Sequence, residues 1–272
     1  MNYRHAFHAG NFADCVKHAL LVWLIRALQR KPNAMMILDT HAGIGRYDLS
    51  APPATRTNEA RAGIFRLLDD PPAPLVDYVE LVRTLGLYPG SPALARALLR
   101  PQDRLVCCEL HGEDFGLLRA AFAGDRQASV HRRDGWEALG ALLPPAERRG
   151  LTLIDPPYEA PDEFFRLAEG IGMAHTRFAS GVIAAWYPIK HRAPVRALHA
   201  ALRDGGIRDV VAAELWLRAP VDAARLNGCG LIVVNPPFRF ELEAPAILAA
   251  LLDRLGGREA GEGVAVERIA GE

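Results

Sequence analysis

Three features of the sequence predict an α/β fold built on a mostly parallel sheet. Short apolar runs alternate with amphipathic helical stretches, which is the signature of strand–helix–strand units. Several runs end in an acid or a glycine turn, the usual termini of strands that feed ligand loops. Only the last two runs are joined by a link too short for a crossover helix. A chain of 272 residues suits one such unit carrying an insertion.

A helix over residues 12–30 comes first and stops at Pro32, which has no amide donor to continue it. "AMMILD" (34–39) is the first strand, and "THAGIGRY" after it makes a glycine turn. "RLVCCEL" (104–110), "ASVHRRD" (128–134), "GLTLID" (150–155) and "GVIAAWYP" (181–188) follow, separated by stretches such as "HGEDFGLLRAAFAG". "DVVAAELWL" (209–217) and "GLIVVN" (230–235) complete a seven-stranded sheet whose last strand runs antiparallel. Between the first two strands, residues 48–87 read as a small helical subdomain, with a Pro-rich start and helices near 58–68 and 75–86. The main domain is then 1–47 plus 88–272. In "YPGSPALARALL", Ser91 precedes a helix whose first residue is Pro92; it either caps that helix or, with the helix N-terminus, faces an anionic group of a ligand.

Composition narrows the function classes. No apolar run approaches the ~20 residues of a membrane span, and the N-terminus lacks the apolar core of a secretory signal. The four cysteines show no CxxC pairing, so reduced thiols and a cytoplasmic location are expected. A net charge of zero argues against a generally basic nucleic-acid binder. The basic excess over residues 1–31 is more informative. Arg26, Arg30 and Lys31 suit the last turn of the first helix, but Tyr3, Arg4, His5 and His8 precede that helix and are not explained by it.

Ligands in such sheets bind outside the carboxyl ends of the parallel strands, which singles out "DTHAGIG", "CEL", "RRDGW" and "DPPY". Gly43 and Gly45 let the backbone approach a ligand, Glu109 can accept ribose hydroxyls, and Asp134 with Gly135 can accept an adenine amine. Any one of these is an ordinary strand terminus; four complementary ones in order point to a nucleoside-containing cofactor. Glu109 lies 64 residues after Gly45, far beyond the ~20 typical of a dinucleotide unit, and residues 48–87 account for the excess.

The motif "DPPY" (155–158) has a near copy, "NPPF" (235–238). An exocyclic amine is a poor nucleophile until its N–H groups are held by a carboxylate and a carbonyl, here Asp155 and Pro156, that localise its lone pair. Tyr158 offers a face for a flipped base. Asp155 ends a parallel strand at the ligand edge, whereas Asn235 ends the antiparallel strand and points to the opposite edge. Asp155 is therefore the chemical copy, Asn235 a strand terminator, and Phe238 an expected packing residue.

"YRHAFHAGNFADCVKH", "LDTHAGIGRY", "YPGSP", "RRDGW", "LIDPPYE" and "WYP" together resemble the RlmJ family of bacterial 23S rRNA adenine-N6 methyltransferases. The resemblance spans nearly the whole chain and implies a Rossmann-like class I methyltransferase using S-adenosyl-L-methionine. It implies cofactor contacts by His18, His41, Ser91, Glu109, Asp134, Gly135 and Asp155, catalysis by Asp155, and substrate contacts by Tyr3, alongside Arg4 and Tyr158. On their own, His18 and His41 read as satisfied core or capping histidines. A monomer without metal, acting on 23S rRNA, is expected. A DNA adenine methyltransferase would use the same site, but the chain has no room for a separate recognition domain. A glutamine methyltransferase would carry Asn where Asp155 stands, and a non-catalytic binding protein would not need every cofactor loop.

Overall fold

The computed structural model describes residues 5–271, so Tyr3 and Arg4 lie outside the described residues. Helix α1 (Phe12–Gln29) opens the fold, with the Asn11 side chain accepting from Asp14 N–H as its cap. It leads into β1 (Met36–Asp39). A ribbon of two-residue strands, β2 (Arg46–Tyr47) and β3 (Tyr88–Pro89), pairs antiparallel. Between its strands lie α2 (Pro52–Thr57), α3 (Glu59–Ala62) and α4 (Val76–Leu85). The sequence assigned no helix to the Pro-rich stretch that forms α2. Pro at the first helical position is compatible with a helix start, since its missing N–H has no intrahelical partner there.

From α5 (Ser91–Leu98) the strands and helices alternate as expected. They are β4 (Arg104–Cys108), α6 (Gly112–Ala121), β5 (Ala128–His131), α7 (Gly135–Leu142), β6 (Gly150–Ile154), α8 (Glu163–Arg177), β7 (Val182–Ile189), α9 (Arg192–Asp204) and β8 (Val210–Trp216). Then come β9 (Gly228–Val234), α10 (Phe240–Leu255) and β10 (Gly263–Ala270). The main sheet has the order β10-β8-β9-β7-β6-β1-β4-β5. It therefore has eight strands, not seven. The extra strand β10 pairs antiparallel along β8; its short Val-x-Val alternation is too weak a signal against a Gly- and Glu-rich background.

β4, β1, β6 and β7 run parallel, and β5 joins β4 in the same sense. β9 runs antiparallel between β7 and β8, as the short 217–227 link requires. Alternating side chains separate two cores. Ile37, Leu151 and Leu153 face a cluster with α1, α5 and α10, while Leu38 and Ile154 face one with α7, α8 and α9. Ile64, Leu67, Tyr78 and Val79 from the 48–87 segment belong to the first cluster, so that segment shares the core of the sheet. Strand order reverses between β1 and β6, which places the ligand crevice outside their carboxyl ends. Among the described residues, no helix is long and apolar enough to cross a membrane.

Candidate active site

A cleft of about 1140 Å³ opens at that crevice, and His18, His41, Ser91, Glu109, Asp134, Gly135, Asp155 and Tyr158 all line it. Residues as far apart in the chain as His18 and Tyr158 are thus gathered at one edge of the sheet. The loops bring them there for local reasons. Gly43 adopts φ 60° and donates its N–H to Glu109 Oε2 at 2.9 Å. A side chain at Gly43 would run into the Tyr47 hydroxyl, 2.4 Å from an added Cβ. Glu109 Oε1 accepts from His111 N–H at 2.7 Å. The carboxylate is thereby aimed into the cleft with lone pairs to spare. Burial pushes its pKa up, although the two backbone donors pull the other way.

Asp134 caps α7 through Oδ1, which accepts from Trp136 N–H at 2.7 Å and Glu137 N–H at 3.4 Å. Gly135 is required by contact rather than by torsion: a Cβ there would sit 2.5 Å from the Thr40 carbonyl and 2.6 Å from the His41 ring. Ser91 differs from its expected role. The helix begins at Ser91 itself with Gly90 in the cap position, and no side chain caps it. The Ser91 hydroxyl is committed elsewhere, donating to Asp39 Oδ2 at 2.6 Å. Burial pushes the Asp39 carboxyl up to about 7.

His18 Nδ1 pairs with the Tyr88 hydroxyl at 3.0 Å, while Nε2 is buried without a partner among the described residues. A buried polar atom left open beside a cleft is a vacancy for a ligand group. Burial drives the His18 pKa down to about 3 and that of His41 down to about 4, so both rings are neutral at pH 7. His41 Nδ1 pairs with Thr40 Oγ1 at 2.8 Å and its ring stands edge-on to Trp136. Neither histidine is a simple cap.

In the same cleft, Asp155 Oδ2 accepts from Lys17 Nζ at 2.6 Å, and Lys17 also pairs with Asp14 Oδ1 at 3.0 Å. Only 6% of the Lys17 side chain and 15% of the Asp155 side chain are exposed, so the pair is shielded from solvent. Burial works against the Lys17 charge, but Asp14 and Asp155 outweigh it and hold the ammonium pKa well above the ordinary value. Burial likewise opposes the Asp14 charge, yet His5 and Lys17 hold that carboxyl well below the ordinary range. Tyr158 sits at φ 51°, its hydroxyl donates to the Trp186 carbonyl at 2.9 Å, and its ring is edge-on to Phe164 and Trp186.

Lys17 and Asp14 were not singled out as site residues from the sequence. A usable signal existed: lysine occurs only three times in the chain, and Asp14 and Lys17 stand one helical turn apart on α1. What the sequence lacks is the strand end 138 positions away that Lys17 meets. The second proline motif lies where the antiparallel strand puts it. Asn235 Nδ2 donates to the carbonyls of Ala179 and Gly181 before β7, at the edge opposite Asp155. Phe238 is not a packing residue, since it is 85% exposed: the chain turns outward into α10, whose Phe240 takes the buried position.

The parallel strands around a reversal point, the glycine turn and the acid-ended strands define a Rossmann-like methyltransferase of the adenosylmethionine-using class. At 15% identity and a TM-score of 0.53, a probable spermidine synthase from Corynebacterium glutamicum shares the fold, over 93% of this chain and 74% of its own. A Legionella pneumophila protein of known crystal structure is far nearer: 33% identical, TM-score 0.88, covering 96% of this chain and 98% of its own. The family described as ribosomal RNA large subunit methyltransferase D, RlmJ, matches residues 32–267, and the chain belongs to it. Ribosomal RNA large subunit methyltransferase J of Escherichia coli is 42% identical over 94% of each chain, and the Haemophilus influenzae protein of the same name 39% identical over the same shares.

Proposed function

We propose that the protein transfers the methyl group of S-adenosyl-L-methionine to the exocyclic N6 of an adenine in 23S ribosomal RNA. The observation that carries this is Asp155 at the ligand edge, next to two prolines and held from behind by Lys17. The cleft residues suit the cofactor: an unpartnered buried nitrogen on His18, a glycine without room for a side chain at 135, and two carboxylates with open lone pairs. Glu109 would accept the ribose hydroxyls, and Asp134 and Gly135 the adenine. His18, His41 and Ser91 would bound the remainder. When bound, the cofactor supplies a methyl group activated by its sulfonium.

The chain's own residues would do the rest by positioning and electrostatics. Lys17 fixes one oxygen of Asp155, so Oδ1 is presented to the target amine. That oxygen and the Pro156 carbonyl would each accept an amine N–H, which localises the nitrogen lone pair toward the methyl. Positive charge developing on the nitrogen would be met by a carboxylate already in place, and the one N–H proton lost on methylation would leave through that carboxylate to water, with the sulfonium's sulfur departing as the neutral thioether. Tyr158 would border the flipped base, and Tyr3 and Arg4 would meet the RNA. We also take the 48–87 segment to be a subdomain over the rim, the protein to act as a cytoplasmic monomer, and no metal to take part.

Labelled adenosylmethionine with ribosomal RNA, duplex DNA and protein substrates in parallel tests the reading. Label in N6-methyladenine of the large-subunit RNA alone is the expected result. Incorporation into DNA or protein, or none into RNA, would overturn it.

A further inference from the structure

The 48–87 segment contributes one carboxylate to the cleft, Glu59, the first residue of α3. Its two oxygens are spent on the N-terminal segment. Oε1 pairs with His8 Nδ1 at 2.9 Å and Oε2 accepts from Asn11 Nδ2 at 3.0 Å. The backbone around Glu59 is fitted to the same segment. Ile64 N–H donates to the Gly10 carbonyl at 2.8 Å, and the Thr57 hydroxyl donates to the Phe7 carbonyl. Gly63 lies so close that an added Cβ would be 2.0 Å from Gly10 O and 2.8 Å from Asn11 C. His5, His8, Asn11 and Phe12 in turn form part of the cleft wall.

From Glu59 a continuous polar chain reaches the proposed catalytic acid. Asn11 Oδ1 accepts from Asp14 N–H at 2.9 Å, Asp14 Oδ1 meets Lys17 Nζ at 3.0 Å, and Lys17 Nζ meets Asp155 at 2.6 Å. We infer that Glu59 is a positioning residue for methyl transfer: it seats residues 8–11 as a wall of the cleft and, through Asn11, sets α1 where Lys17 meets Asp155. The inference rests on the reading of Asp155 given above and assigns the inserted segment a task in the reaction. It differs from a stability role because the bonds Glu59 makes are half-exposed, with 35% of its side chain accessible, and such pairs contribute little to folding.

The full-length protein and its Glu59→Ala, Glu59→Gln, His8→Ala and Glu59→Ala/His8→Ala variants are compared by RNA kinetics, cofactor calorimetry and amide hydrogen exchange. Glu59→Ala should lower kcat/KM for RNA on the order of tenfold, as expected when a wall of the site is misplaced. Exchange across residues 8–14 should rise while the core strands stay protected. Cofactor affinity should stay within about twofold, and the double variant should lose less than the sum of the two single losses, because both remove the His8–Glu59 contact. Glu59→Gln keeps an acceptor for Asn11 and a donor for His8, so it should restore most of the loss. Unchanged exchange and kinetics in Glu59→Ala, additive losses in the double variant, or a Gln variant as poor as the Ala one would each overturn the inference. Absence of RNA methylation by the unsubstituted protein would instead refute the functional reading, and the exchange measurements would still decide whether Glu59 seats the segment.

Discussion

Asp155-Pro-Pro-Tyr158 and Asn235-Pro-Pro-Phe238 are nearly the same four residues in opposite surroundings. In the first, the acid is shielded and held by a buried lysine, and the aromatic ring is wedged between Phe164 and Trp186. In the second, the amide ties down the two carbonyls before β7, and the aromatic is 85% exposed. The left-handed residue stands at opposite ends of the two motifs, last in the first and first in the second. Asn235 has φ 51°, which asparagine tolerates well. Tyr158 has the same φ of 51°, a conformation costing an aromatic residue on the order of 1–3 kcal/mol. Its hydroxyl bond and ring contacts hold it there. Strand direction decides which copy can meet the cofactor loops; the motif by itself does not.

The contrast is broken most directly by exchanging the fates of the two motifs. Asp155→Ala should lower the single-turnover rate at saturating cofactor by on the order of 10²–10³-fold, the scale for losing a preorganised electrostatic group. Asn235→Ala should leave that rate within about twofold. A folded, cofactor-binding Asn235→Ala protein that is inactive would reverse the assignment.

Lys17 sharpens the comparison, since among the described residues Asn235 is held by backbone carbonyls and no cation. Lys17→Met leaves Asp14 and Asp155 facing each other without their shared cation. Denaturant unfolding should then show a loss of about 3–5 kcal/mol, the scale for truncating one partner of a buried pair, together with reduced turnover. A variant of native stability and full activity would show that Lys17 neither holds Asp155 nor supports the fold.

A smaller, pH-dependent effect is expected at Asp39, behind Ser91. Its folded pKa of about 7 lies above the ordinary 3.8, so the folded state retains a proton that the unfolded state has lost. Its contribution is fully present below the unfolded value and fades as pH rises through about 7. Thermal melts of Asp39→Asn should therefore gain on the unsubstituted protein from pH 4 to pH 8. A difference in Tm that is flat with pH would refute the assignment.

The least effects belong to the second motif. Asn235→Ala should cost roughly 0.5–1.5 kcal/mol for its lost turn bonds, while Phe238→Ala should alter stability by no more than about 0.5 kcal/mol, as for other exposed positions. Calorimetric melts check both. A large loss at Phe238 would mean that its exposed ring is covered in solution.

Much of the fold could be read from the chain because its signals are local. The alternation of apolar runs with helical stretches located β1 and β4 through β9, and the 217–227 link fixed the sense of β9. β10 escaped notice because an edge strand buries little and its alternation is short. Ser91 was placed at a helix start correctly, with capping and a ligand-facing role both open; capping fails because Asp39, 52 residues earlier, takes the hydroxyl. His18 carried no sequence signal beyond its family resemblance, because an unpartnered nitrogen becomes visible only when its neighbours are in place.

The sequence by itself determined the strand-and-helix order, the glycine turns, the acids at strand ends and which proline motif lies at the ligand edge. Those depend on residue type, spacing and connection length, which are properties of neighbouring residues. Tertiary structure decided what meets what across the sheet: Lys17 against Asp155, Glu59 against His8 and Asn11, Ser91 against Asp39. Such contacts form only when helices from distant parts of the chain pack on one sheet. The energy of burying a charge or a hydroxyl then selects partners that sequence distance hides.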